Sequence, residues 1–196
     1  MADTAQICSQ CGWSFDMEAL KKNTCKKCQS VILVCSVAYL EKFEKPAIQK
    51  YIAQYSQTLK LDPQNHDALL AIGICYLKLG LYEISEKFFD KIIDLHPISH
   101  SGYYYRAICI FKGNRPRVAS LPLTRKAEQL IKTSIELEPG NGCYSIVLAA
   151  IKHDYYASNG MKMPDPTPDV LIADAKSKHL DNLEIKQMIS LLKIQA

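Results

Sequence analysis

Four cysteines near the N-terminus stand in two pairs, Cys8-Ser-Gln-Cys11 and Cys25-Lys-Lys-Cys28, with thirteen residues between the pairs. A Cys-x-x-Cys turn aims two thiolates at one point, and two such turns close a tetrahedron. That is the ligand set of a structural zinc ion, one per chain. Four sulfur ligands leave no open position for water, so the metal's task is to fold a small module rather than to catalyse.

Other groups with chemical capacity are sparse. The chain has no Walker loop, Gly-x-Ser-x-Gly, His-Glu-x-x-His or dinucleotide fingerprint. His66 and His100 lie 34 residues apart at two helix starts, where solvated side chains are expected. His153-Asp154-Tyr155-Tyr156 is a dense run, but consecutive helical residues point in different directions, so these four do not converge. No catalytic residue is expected, and the chain reads as a non-enzyme.

Composition agrees. Apolar residues make up 48% and charged residues 22% of 196 residues, which describes a globular body. A net charge of +4 is too small to call for nucleic acid as a partner. The start, Met-Ala-Asp-Thr-Ala-Gln, has no basic and apolar leader, and the longest apolar run, Val31 to Ala38, is broken by Ser36. A reducing, cytoplasmic setting without membrane is expected, with Cys35, Cys75, Cys109 and Cys143 packing as small hydrophobes rather than as disulfides.

The N-terminal stretch resembles a zinc ribbon. Gly12 follows the first knuckle, where a left-handed backbone turns amides toward the thiolates, and Gln29 takes that place after the second. The β-branched run Val31 to Cys35 predicts a strand, and Trp13 and Phe15 should cover the metal's apolar side. Lys21, Lys22, Lys26 and Lys27 are largely offset by Asp3, Asp16 and Glu18, so they read as a solubilising surface.

From Glu41 onward, apolar residues recur at helical spacing and prolines separate the blocks. Pro63 and Pro97 are 34 residues apart. Between them Leu69, Ile72-Gly73, Tyr76, Ser85, Phe89 and the closing Pro97 resemble a tetratricopeptide repeat. Gly73 and Ser85 are small, so two helices can approach closely while Tyr76 and Phe89 fill the flanks. A preceding helix, Lys45 to Leu61, carries Tyr51 and Tyr55 at second-helix positions. After Pro97, Tyr103, Ala107 and Ile110 begin a pair completed by Ala127, Ile131 and Ser134. The interval to Pro139 is 42 residues, eight longer than the regular unit, and the excess falls in Lys112 to Leu123. Asn141 to Ala157 opens a third pair through Val147, Leu148 and Ile151. A proline-rich break follows at Met161 to Asp169. Asp169 is expected to cap a short helix through Lys176, and Asp181 with Glu184 to form a capping box before a final helix.

The fold expected is therefore mainly α: a solenoid of antiparallel helix pairs with a small β zinc ribbon in front. The ribbon covers 1–38, the repeats 41–160, and the break with its capping helices 161–196. The resemblance implies a concave face lined by first helices, here Asp67, Leu70, Ile74 and Leu77, then Ser101, Tyr104, Ile108 and Phe111. Relatives that clamp the terminal carboxylate of chaperone tails need Lys and Asn where Leu70 and Ile74 stand, so that clamp is not carried over. The apolar face takes either a partner peptide or the chain's own ribbon or C-terminal segment. A second candidate surface is basic, with Lys112, Arg115, Arg117, Arg125 and Lys126 and no acidic residue between them. It suits nucleic acid or an acidic peptide. The function expected is an interaction adaptor or scaffold for a protein partner, with a nucleic-acid-associated regulator that uses the ribbon and the basic 112–126 insertion as the alternative.

Elemental analysis should return one zinc per chain, lost when Cys8 or Cys25 is changed to serine. A module this small cannot fold by burial alone, so chelation should unfold it while most of the helical circular dichroism survives. A metal-free protein with an ordered N-terminus would contradict this.

Overall fold

The computed structural model describes residues 24–29 and 33–194. Among the described residues, a 3-10 turn, Ala38–Leu40, leads into eight α-helices: α1 (Lys45–Leu61), α2 (His66–Lys78), α3 (Tyr82–Leu95), α4 (His100–Ile110), α5 (Leu121–Leu137), α6 (Gly142–Lys152), α7 (Pro168–Ala175) and α8 (Asn182–Leu191). A second 3-10 turn, Pro116–Val118, interrupts the connection between α4 and α5, and a π-helical turn, His153–Ala157, extends α6. Neighbouring helices pack in sequence order, α2 on α3, α4 on α5 and α6 on α7. The described chain is thus a tetratricopeptide-like helical domain.

Local chemistry sets the helix ends. Asn65, Ser99, Asn141 and Asp181 each accept a bond from an amide in the first turn that follows. α1, α5 and α7 begin instead with proline at the first or second position, where a missing N–H costs nothing. Asp169 therefore does not cap α7. It lies inside the first turn, and Thr167 holds the cap position without a side-chain bond.

The regular pair closes around one close approach. A Cβ placed on Gly73 would lie 2.7 Å from a ring carbon of Phe89. The Ser85 hydroxyl donates to the Gly73 carbonyl at 2.7 Å. Both residues are buried, as is Phe89, whose ring stacks on Tyr105 of the next pair at 5.6 Å. Small residues at 73 and 85 thus admit one large ring that binds two pairs together. Arg106 adds a polar staple, reaching from α4 to Asp90 at 2.6 Å and to Glu86, both on α3.

Two expectations about the N-terminal part need correction or fall outside the described residues. Leu33, Val34 and Cys35 form no strand. The Val34 amide donates to the Tyr55 hydroxyl at 3.1 Å, so a side chain of α1 takes a bond that a ladder would need. Cys8, Cys11, Trp13, Phe15 and the remainder of the ribbon lie outside the described residues. Among the other cysteines, Cys75, Cys109 and Cys143 are buried as expected, whereas Cys35 is exposed.

Replacing Gly73 with alanine forces a methyl group against Phe89 with no open space to receive it. The expected loss is about 1–3 kcal/mol in urea denaturation, the usual cost of overpacking. An unchanged midpoint would mean that the two helices are not held at this distance.

Candidate functional site

The first helices α2, α4 and α6 present one continuous face, and the residues expected to bind a partner lie on it. Leu70, Ile74, Leu77, Tyr104, Ile108 and Phe111 are all buried, each at 6% exposure or less. They belong to the same core cluster as Met188 and Leu192 from the chain's C-terminal end and Val34, Val37 and Leu40 from the segment before α1. The face is therefore not an open groove in this structure. Two pieces of the same chain cover it, and these are occupants that the sequence leaves open alongside a partner peptide.

The cover is pinned by one carboxylate. Asp181 caps α8 through bonds from the Leu183 and Glu184 amides at 2.9 and 3.0 Å. In a capping box the Glu184 side chain would turn back to the cap's own amide. Here the Asp181 amide goes to the Cys143 sulfur at 3.1 Å instead. Glu184 is released to reach across the fold. Its Oε2 accepts from the Ala38 amide at 2.8 Å, and its Oε1 accepts from the Tyr105 hydroxyl at 2.8 Å. One side chain thus ties α8 to the N-terminal 3-10 turn and to α4. At the rim the Lys78 ammonium of α2 donates to Gln187 at 2.7 Å.

Glu184 is 6% exposed, and burial raises its carboxyl above the ordinary range against the lowering effect of its two hydrogen-bond donors. The nearby Asp181 charge acts in the same direction as burial. Tyr104 packs beside this point, with ring centroids 4.5 Å from Tyr144 and 5.1 Å from Tyr105, and its buried hydroxyl has no hydrogen-bond partner among the described residues.

The segment 175–181 is fixed to the repeat by backbone pairing. Gly142 donates to the His179 carbonyl at 2.8 Å, and His179 donates to the Gly140 carbonyl at 3.0 Å. A Cβ at Gly142 would lie 2.8 Å from the Ala175 carbonyl oxygen. Position 142 must be glycine for this strap to lie flat on the turn between α5 and α6.

The basic stretch does not form one strip. Arg115 pairs with Asp154, which is 4% exposed and also accepts from the Arg117 amide at 3.1 Å. Lys112 pairs with Glu83 at 2.8 Å on the opposite side of the loop. The Arg117 side chain is exposed, as are Arg125 and Lys126 on α5. The inserted residues are thus clamped onto the π turn, and Asp154 is the clamp. Sequence spacing gives no sign of this pair, because its members lie 39 positions apart and on irregular backbone.

The two helix-start histidines are joints between units rather than solvated side chains. His66 Nε2 meets the Ser99 hydroxyl at 2.7 Å, and His100 Nδ1 meets the Tyr144 hydroxyl at 2.6 Å. Each therefore links one pair to the next. Burial lowers the His100 pKa from its ordinary value. The run His153 to Tyr156 does not converge: His153 is exposed, Asp154 faces Arg115, and the two tyrosine rings pack edge to face at 5.1 Å.

Half of the proposed metal ligand set is described. Cys25 is buried, Cys28 is exposed, and residues 26–28 form a turn between them. The Lys27 amide points at the Cys25 sulfur at 3.4 Å, and the Gln29 amide donates to the Cys25 carbonyl at 2.9 Å. Gln29 adopts φ of 63°, the left-handed conformation that glycine holds more readily. The donor chemistry fits a thiolate knuckle, since an amide N–H aimed at sulfur stabilises its negative charge. Among the described residues no group of three or more ligating side chains converges.

Burial pushes the Cys75 and Cys109 thiols up to about 12, so both stay protonated and unreactive at neutral pH. Among the described residues, no helix is long and apolar enough to cross a membrane.

Comparison with known proteins gives a partial likeness. The chain is 32% identical over 77 residues to Superkiller protein 3 of Saccharomyces cerevisiae (strain ATCC 204508 / S288c), a match covering 39% of this chain and 5% of that protein. Superkiller protein 3 is a tetratricopeptide-repeat-containing protein, which agrees with the helix pairs described above. No family model matches the chain.

Glu184 binds its proton more tightly in the native state than in the unfolded chain. The linked part of the stability is therefore greatest below the ordinary carboxylate range and is lost as pH rises through the raised native value. In urea titrations from mildly acidic to neutral pH, Glu184→Gln should lack this decline while the wild type shows it. Parallel profiles would mean that Glu184 is not buried as described.

Proposed function

We propose that this chain is a non-catalytic adaptor: a tetratricopeptide-like scaffold that holds a protein partner, with a structural zinc ribbon at its N-terminus as a second contact or a rigid cap. The observation carrying this reading is the repeat packing itself. Helix pairs that close on Gly73, Ser85 and Phe89 and stack through Arg106, His66 and His100 present broad side-chain surfaces on a stiff frame. The stretch similar to Superkiller protein 3 supports the same class of protein. The zinc ribbon rests on the doubled Cys-x-x-Cys pattern and on the turn geometry at Cys25 and Cys28. Four zinc thiolates and high-pKa core thiols suit a reducing, cytoplasmic setting.

A protein partner is the better reading than nucleic acid because the charge needed for the latter is partly spent. Lys112 and Arg115 are engaged by Glu83 and Asp154, which leaves Arg117, Arg125 and Lys126 as the outward cations of the stretch. A duplex reader draws its affinity from many simultaneous phosphate contacts.

Affinity capture with the full chain from an extract of its own cells, with and without nuclease, tests the proposal. The same protein partner should be retained in both. Capture that vanishes with nuclease would assign the function to nucleic acid, and the absence of any retained protein would overturn the adaptor reading. A Met188→Asp variant, which loosens α8 without touching the outer surfaces, tells the faces apart. Increased capture would place the partner on Leu70, Ile74, Tyr104 and Ile108, and unchanged capture would place it outside.

A further inference from the structure

The inserted stretch between α4 and α5 carries a second pattern besides its charge. It reads Arg115-Pro-Arg117-Val-Ala-Ser120-Leu121, so Ser120 has arginine five and three residues before it and leucine directly after it. No other serine or threonine of the sequence has arginine three positions before it. Lysine holds that place before Thr24 and Ser30, but lysine lacks the fork of donors with which arginine takes a carboxylate. Protein kinases select their acceptors by such charge patterns. A substrate groove lined with carboxylates attracts arginines on the N-terminal side of the acceptor and repels acids there. Between Lys112 and Ala127 the chain has no acid.

The folded chain presents the pattern outward. Ser120 and Arg117 are exposed, as are Val118 and Pro122. Ala119 has φ of −75° and ψ of 161°, and Ser120 has φ of −75° and ψ of 153°, so the backbone at the acceptor is extended. That is the form in which a chain lies along an enzyme groove with its side chains accessible. Ser120 stands at the cap position of α5, yet its side chain makes no cap hydrogen bond. Pro122 removes one of the two amides that a cap serine ordinarily uses. The hydroxyl is thus not held by the helix that it precedes. Thr124, the other hydroxyl of the stretch, is fully buried and donates to the Ser120 carbonyl at 3.3 Å, so it is not a competing acceptor.

The clamp on the insertion decides which arginine is offered. Arg115 is paired with the buried Asp154, and the Arg117 amide donates to the same carboxylate at 3.1 Å. Asn159 donates to the Arg117 carbonyl at 3.1 Å. The backbone is therefore fixed up to Arg117 while the Arg117 side chain points outward. In the folded chain, recognition rests on Arg117 three residues before the serine and on Leu121 after it.

We propose that Ser120 is a phosphorylation site for an arginine-directed, ATP-dependent serine kinase. The Ser120 oxygen attacks the γ-phosphorus of ATP. The new P–O bond forms as the bond to the β,γ-bridging oxygen breaks, ADP leaves, and the hydroxyl proton passes to the kinase's catalytic carboxylate. The phosphate brings about −1.5 to −2 charges at neutral pH. The outward cations of the stretch are Arg117, Arg125 and Lys126, so the modification cancels more than half of their charge. Any anionic partner held by these three residues is released by it. The site lies on the insertion and does not depend on the adaptor reading.

The full, zinc-loaded chain is incubated with ATP and a purified arginine-directed serine kinase, and separately with ATP and an extract of its own cells. Intact mass and fragment sequencing read the product. Phosphate is expected on Ser120 from both sources. Ser120→Ala, an exposed change whose fold is checked by circular dichroism, should abolish it, and Ser120→Thr should retain it. Arg117→Gln should slow the purified kinase by roughly tenfold or more, the scale of a lost charge-assisted contact. The phosphorylated chain should leave a polyanion resin at lower salt than the treated Ser120→Ala chain. Modification of an isolated 112–124 peptide but not of the chain would show that the fold withholds the serine, and would overturn the proposal. So would an unchanged rate in Arg117→Gln, unchanged elution from the resin, or no phosphate on Ser120 from the cell extract.

Discussion

The Glu184 carboxylate joins parts of the chain that otherwise share no local reason to meet. Its two oxygens take an amide at position 38 and a hydroxyl at position 105, so the N-terminal approach, the middle repeat and the last helix close on one another at a single point. A charged group at that depth loses its hydration, and the raised pKa records that loss. Two good hydrogen bonds offset much of the cost, and the remainder is met by Met188 and Leu192, which are fully buried as α8 settles on the first helices. The covered concave face follows from this arrangement. Without the pin, the apolar side chains of α2 and α4 would stand in water.

The helical frame was legible because its causes are local. Lys45–Leu61 is bounded by Pro46 at its start and Asp62-Pro63 at its end, and the expected range is the observed one. Gly73, Ser85 and Phe89 were readable as a set because a repeat of fixed length fixes which residues must be small and which must be large. The cap at Asp181 was readable for the same reason, since its partners are two and three residues away.

What could not be read was the destination of polar groups over long separations. Asp181 and Glu184 carry a capping-box pattern, and half of it forms. The other half fails because Glu184 finds donors 146 and 79 positions away that no spacing rule connects to it. Asp154 sits in a run that reads as part surface and part core, and it is the buried anchor of the inserted loop. Its partner Arg115 then ceases to be a docking residue. The expected strand at Val31 to Cys35 rested on β-branched composition alone. Where residues 33–35 are described, a tyrosine hydroxyl has taken the place of a neighbouring strand.

Charge pairing also explains why a basic stretch need not make a basic surface. Along Lys112 to Lys126 the sequence counts five cations and no acid, which suggests an open strip. Folding brings Glu83 and Asp154 to two of them, and the local field there is largely cancelled. The π turn is what makes this possible. It places Asp154 toward the inserted loop and Tyr156 toward Glu128, two buried contacts on different sides of a single irregular turn. Residues two apart on a helical turn project to nearly opposite sides, so one turn serves both contacts.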